Sequence, residues 1–183
     1  MKNKKKKWFF IIGIILIAWV GVIFYFGSRN TQTSYNQSGA VYEFFKSLDN
    51  TLDITNKEWF INLESFLKQW WFGTDRVAGM SVLRKSAHFG IYMLLGFISS
   101  LFTFVYCRKY LISFLMGISF PTMIAAIDEY NQGFHDRGSS LHDVMIDLSG
   151  AVTGTLFLFL IFLIVFIIKH FKKKRNFEND KRI

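Results

Sequence analysis

The sequence predicts an all-α membrane protein, with four transmembrane helices plus an outer amphipathic interfacial helix. Three observations predict it. Four long runs are apolar and nearly free of charge, the basic residues are segregated from the acidic ones, and the polar stretch after the first run holds a segment with one aromatic face. A bilayer core needs about 20 apolar residues as helix, and only a helix satisfies its own backbone hydrogen bonds in lipid. Hydrophobic residues make up 51% of the chain and aromatics 19%, with 22 Phe, an excess that suits lipid-facing helices. A soluble all-α domain fails on the uncharged length of the first and fourth runs. The single cysteine, Cys107, excludes an intrachain disulfide and carries no motif.

The first run, Trp8 to Phe26, follows the basic residues 1–7 and has 19 residues without a charge. It reads as an uncleaved signal anchor. It is long for a signal-peptide core, and its exit, FYFGSRN, lacks a small-x-small cleavage site. Residues 27–80 form an outer segment. Within it SRNTQTSYNQSG reads as loop and VYEFFKSL as one short helix. Thr55-Asn-Lys-Glu58 has the form of a capping box. The helix it opens puts Trp59, Phe60, Leu63, Phe66, Leu67 and Trp70 on one face. That face suits the boundary between headgroups and acyl chains, and packing on the bundle is compatible with it.

The second span enters at LRKSAHFGIYMLLG, with Ser81 a candidate N-cap, and is apolar from Phe89 to Cys107. The third, Leu111 to Ile127, is short, so its helix should extend into Asp128–Asn131. Pro121 should kink it. The fourth, Val144 to Ile168, is apolar except for Asp147. Residues 8–168 thus make one four-helix membrane domain, and 169–183 a basic tail.

Charge sets the orientation. The N-terminus, the connection between the second and third spans, and the tail carry 14 basic and 2 acidic residues, a net +12. The rest carries 8 basic and 11 acidic, a net −3. The positive-inside rule then places both termini in the cytoplasm. The lysine runs orient the chain and touch anionic lipid. No stacking platform accompanies them, so nucleic acid is not an expected partner.

This orientation gathers Lys85, His88, Asp128, Glu129, Gln132, Arg137, Asp143 and Asp147 at the outer ends of the spans. Ionisable groups there are costly to desolvate and mark functional sites by default. Lys85, His88, Tyr92 and Gly96 are spaced 3, 4 and 4, one stripe of a helix. Asp128 and Gln132 lie one turn apart, with Glu129 beside them. Asp143, Asp147, Gly150 and Gly154 stripe the start of the fourth span, and GAVTG is a GxxxG that admits close helix packing. Asp147 lies at lipid depth, where a carboxylate must be paired, solvated or protonated. Lys85 and Arg137 are the candidate counter-charges.

The HFGIY stretch preceded by RK, and the segment DEYNQGFHDRGSSLHDVMIDLSGAVTG, closely resemble the VanZ-like family of bacterial membrane proteins. That family shows K-x-x-H-F…Y at one span, then D-E…Q-x-F…R…D-v…D…G-x-x-x-G over the next loop and span. Phe24-Tyr-Phe-Gly-Ser28, followed by Ser34 and Ser38, resembles its first-span exit. The resemblance runs from the first span to about Leu158 and omits the amphipathic outer segment. It falls on Lys85, His88, Tyr92, Asp128, Glu129, Gln132, Arg137, Asp143 and Asp147. One departure is His135-Asp136, where the family often has Pro-Gly before the Arg. The resemblance implies a bacterial plasma-membrane protein with a cell-envelope role. The founding member is associated with resistance to the glycopeptide teicoplanin, and the family names no reaction.

Three readings stay open. The outward site binds or protects an anionic or lipid-linked envelope component, with Lys85 and Arg137 on phosphate or carboxylate. Alternatively the protein is an enzyme, a hydrolase or transferase of a lipid-linked substrate. His88 with Asp128, Glu129, Asp143 or Asp147 would then be an acid–base pair, or these groups with His135 or His142 would hold a metal. No compact metal signature is present, so no metal or other cofactor is expected. In the third reading the polar groups pair with one another and lock the helices. Transport is weaker still, because the middles of all four spans are uncharged and no internal repeat is visible.

Overall fold

The computed structural model describes residues 2–29, 31–135 and 140–180. These form six α-helices: α1 (Lys2–Gly27), α2 (Thr31–Leu52), α3 (Glu58–Phe72), α4 (Gly79–Cys107), α5 (Tyr110–Gln132) and α6 (Leu141–Asp180), with a 3-10 turn at Gly133–His135. Four of them, α1, α4, α5 and α6, are long and apolar enough to cross a membrane. Successive spans run in alternate directions. The end where α1 finishes and α4 begins also holds α2, α3 and the start of α6, and is called the site end below.

α4 is the hub. It packs against α6, α5, α1, α2 and α3. Association of helices in lipid relies on close contact more than on apolar burial, so small residues belong at the seams. A Cβ on Gly154 would lie 1.8 Å from the Met93 carbonyl oxygen, one on Gly150 2.3 Å from that of Phe89, and one on Gly96 2.4 Å from that of Ala151. Only glycine lets the α4 and α6 backbones meet there, as the GxxxG pattern requires. α5 closes the other side through Gly117, whose Cβ would meet Thr155 Oγ1 at 2.5 Å. Ser99 Oγ donates to the Met116 carbonyl at 3.0 Å. α1 lies outermost, held by the Trp19 indole N–H on the Ile91 carbonyl at 3.1 Å. Its Ile23 joins Tyr92, Leu95, Ile124 and Ala125 in the core.

α5 runs unbroken through Pro121 to Gln132, so the short third run does extend past Asn131. Three local expectations are overturned. Most of the segment read as loop, residues 31–39, belongs to the first half of α2, one helix from Thr31 to Leu52. Its Ser, Thr, Asn and Gln cost only up to about 0.7 kcal/mol each in a helix. Packing on α4 outweighs that cost: Gly39 sits beside Met80, and Gly79 beside Tyr42. The capping box at Thr55 does not form, and α3 starts after Lys57 without a side-chain cap. Thr55 is engaged by Asp49, which accepts its backbone N–H at 2.8 Å, its hydroxyl, and the Ile54 N–H at 2.7 Å. These bonds, the Thr55 hydroxyl first, hold the Asp49 carboxyl below its ordinary range. Ser81 is not an N-cap either, since α4 begins at Gly79 behind Ala78.

α3 divides its apolar residues between two surroundings. Trp59, Leu63, Phe66 and Trp70 face outward. Leu67, Trp71 and Phe72 pack with Val82, Phe89 and Ile146 of the bundle. One short helix therefore carries both an exposed aromatic face and a face packed on the bundle.

Candidate functional site

The polar residues at the site end fall into two groups. The inner group surrounds Tyr92, which is 1% exposed. Asp128, Glu129 and Gln132 of α5 and Asp147 of α6 are buried with it at the same end of the bundle. Gln132 Nε2 donates to Asp128 Oδ2 at 2.9 Å, as their one-turn spacing on α5 allows. α1 closes over this pair at its last residue. A Cβ on Gly27 would stand 1.9 Å from Asp128 Oδ1, and the next residue, Ser28, accepts a bond from Asn131 Nδ2 at 3.1 Å. His88 Nδ1 lies 3.5 Å from Asp147 Oδ1, and Asp147 is almost wholly buried behind it.

The outer group pins the start of α6. Lys85 Nζ lies 2.9 Å from Asp143 Oδ1 and 3.1 Å from His142 Nδ1. The same ammonium sits over the Phe72 ring, 4.6 Å from its centroid, which ties in the end of α3. Glu129 Oε1 accepts the Ser140 N–H at 2.6 Å, just before α6 begins. A carboxylate there complements the positive end of the helix.

This register corrects the expected pairing. Lys85 does not reach Asp147; it pairs with Asp143, and His88 takes Asp147. α4 and α6 both start at the site end, so Lys85 meets the α6 carboxylate nearest the edge and His88 meets the next one inward. Arg137 lies outside the described residues.

Beside the inner group is a pocket of about 480 Å³ between α1, α2, α4 and α5. Ligand pockets commonly span about 300–1,000 Å³. Ile23, Phe26, Val41, Phe45 and Ile91 give it apolar walls. His88, Tyr92, Asp128 and Gln132 give it a polar floor, and Arg84 also lines it. Of the expected site residues, these four reach the pocket; Lys85, Glu129, Asp143 and Asp147 are not among its lining residues. Sequence reasoning missed Arg84 and Gly27. Arg84 precedes His88 by one turn on the same stripe, and Gly27 ends the first span, so both carried a readable signal. Among the described residues, no three His, Cys, Asp or Glu side chains are grouped as they would be around an ion.

Four apolar spans and a buried polar cluster at one end fit a polytopic all-α membrane protein. The chain belongs to the VanZ/LLP1 family, whose model matches residues 11–168. The match spans all four membrane helices and the intervening segment that the sequence patterns left out. No curated protein and no solved structure matches the chain.

Proposed function

We propose that this protein binds an amphiphilic, lipid-linked component of the bacterial cell envelope in the pocket at its site end. The single observation that carries this is the pocket's two-part lining. Apolar walls from α1 and α2 stand beside a polar floor of half-buried His88 and buried Tyr92, Asp128 and Gln132. An acyl chain suits the walls, and a hydrogen-bonding headgroup suits the floor. Arg84, rather than Lys85, is the cation placed to meet an anionic group, because Lys85 is committed to Asp143. A link to teicoplanin resistance would follow from withholding or altering such a component.

The site end faces the outside of the plasma membrane, and both termini are cytoplasmic. The charge split of +12 against −3 supports this orientation. The outward aromatics of α3 then rest in the outer headgroup region. In a Cys107-free background, a membrane-impermeant thiol reagent should label cysteine at the exposed positions Asn36 and Asn56 in intact cells. It should not label Lys172→Cys. Labelling at 172 before permeabilisation would reverse the orientation.

The binding test is native mass spectrometry of the full chain extracted in mild detergent. An envelope lipid should co-purify with the protein. Ile91→Trp, which fills the pocket from a half-buried wall position, should strip it. Equal lipid retention in this variant would reject the proposal. The carboxylate behind His88 favours a second reading, in which the imidazole acts as a general base on the bound molecule. Multiple turnover of a lipid-linked precursor, lost in His88→Ala, would select it.

A further inference from the structure

The second half of α2 carries an apolar stripe that the bundle leaves exposed. Val41, Phe44, Phe45, Leu48 and Leu52 recur at the spacing of one helix face. Glu43, Lys46, Ser47 and Asn50 take the opposite face. The stripe begins at the pocket, where Val41 and Phe45 are wall residues and yet stay half-exposed. It then runs on beyond the pocket, over about 10 Å from Phe45 to Leu52. Phe44, Leu48 and Leu52 are 60%, 42% and 55% exposed, so the bundle does not cover this part of the helix. A contiguous apolar face of this kind is unfavourable in water and marks a contact surface.

The surroundings of α2 decide what it contacts. Tyr42 stands beside Gly79, and Gly39 beside Met80, in the first turn of the α4 span. α2 starts four residues after the α1 span ends, a reach of at most about 14 Å. The pocket it walls takes in Ile91, about 18 Å along the α4 axis from Gly79. α2 therefore lies on the flank of the bundle, level with the ends of the spans, where its neighbours are acyl chains and headgroups. The helix that follows, α3, exposes Trp59, Phe66 and Trp70 at the same end. α2 has one basic residue, Lys46, against Glu43 and Asp49. Apolar contact, and not attraction to anionic headgroups, is then what holds it at the leaflet.

We infer that the apolar stripe of α2 is embedded among the acyl chains of the leaflet at the site end, and that the pocket opens sideways into that leaflet. An occupant then arrives from the bilayer without crossing water, which suits a long-chain lipid and disfavours a water-soluble wall fragment. The embedding stands on α2 alone; the sideways opening rests on the lipid-binding reading above.

The experiment uses the full chain, free of Cys107, in phosphatidylcholine nanodiscs that are open to water on both faces. The fluorophore NBD is attached to single cysteines introduced at exposed positions of α2. Doxyl-labelled phosphatidylcholine quenches the dye from the acyl region, and dithionite bleaches it from water. Labels at Phe44, Leu48 and Leu52 should resist dithionite and be quenched at a depth of about 5–10 Å below the headgroup boundary. Labels at Ser47 and Asn50, on the opposite face, should bleach. A label at Val41, on the pocket wall, should be quenched like those of the stripe, and Ile91→Trp, which fills the pocket, should abolish that quenching while leaving Leu48 and Leu52 unchanged. Bleaching of the stripe as fast as Ser47 puts it in water and overturns the inference. Protection of the stripe from both reagents means that a second copy or another protein covers it, and also overturns the inference. If dithionite bleaches Val41, or Ile91→Trp leaves its quenching unchanged, the sideways opening falls and the embedding stands. Lipid retention by Ile91→Trp in native mass spectra tests the lipid-binding reading separately, so the two failures are distinguishable.

Discussion

Replacing Gly154 with leucine should eliminate the folded protein. At this position α6 meets the α4 backbone, and the first added carbon would overlap the Met93 carbonyl oxygen at 1.8 Å and its carbonyl carbon at 2.7 Å. A flexible side chain could step aside; a main-chain carbonyl in the middle of a packed helix cannot. Overpacking a core ordinarily costs about 1–3 kcal/mol, and more when the surroundings cannot shift. Here we expect the top of that range or beyond. In detergent the cooperative thermal transition should be lost, and expression should fall. Gly21→Leu is the matched control, because nothing lies within 4 Å of the Cβ it would carry. A Gly154→Leu protein that melts like the unaltered one would mean that α4 and α6 do not approach as described.

Asp147→Asn should remove ligand binding while leaving the fold nearly intact. Asp147 is 1% exposed, and His88 lies 3.5 Å away with its ring lining the pocket. The carboxylate therefore acts as a positioning residue, fixing the imidazole from behind. Asparagine keeps the volume and the hydrogen-bonding capacity but removes the carboxylate that faces the His88 ring. The stability loss should stay near about 1 kcal/mol. Lipid retention should drop about tenfold or more. A purely structural network gives the other outcome. Stability and binding would then fall together, by the roughly 3–5 kcal/mol that breaking a buried pair costs. Lys85→Met serves as comparison. It breaks the outer pair with Asp143 and should loosen the start of α6 without touching the pocket lining.

Much of this was legible in the sequence, for reasons of different strength. The four spans were readable because an uncharged stretch of that length is costly to expose to water and matches the thickness of a bilayer core. The α4–α6 seam was readable from Gly96, Gly150 and Gly154, because small residues at helical spacing have a geometric purpose. The gathering of His88, Tyr92, Asp128, Gln132 and Asp147 followed from alternating spans, which bring their polar ends to one face. Pairing was not legible. Lys85 and His88 differ by less than one turn, and only the relative slide of α4 and α6 decides which carboxylate each meets. α2 was illegible for another reason. Its first half is polar and weakly helical by composition, and its helix depends on packing against Gly79 and Met80. Thr55 misled because the same hydroxyl that caps a helix can also satisfy a nearby carboxylate, and Asp49 was within reach. The pocket was invisible, because it needs Val41 and Phe45 of α2 beside residues of α1, α4 and α5, and α2 itself was illegible.

The measurement closest to the central claim is photocrosslinking in living bacteria. A photoreactive residue at Phe45 would sit in the pocket wall, and one at Leu160 would face outward from α6. The account predicts that Phe45 captures a restricted set of envelope amphiphiles, identified by mass spectrometry, and that Arg84→Gln or His88→Ala abolishes the adduct. Leu160 should capture lipids in proportion to the bulk membrane. The same lipid mixture at both positions, unchanged by either substitution, would contradict a binding site at this end of the bundle.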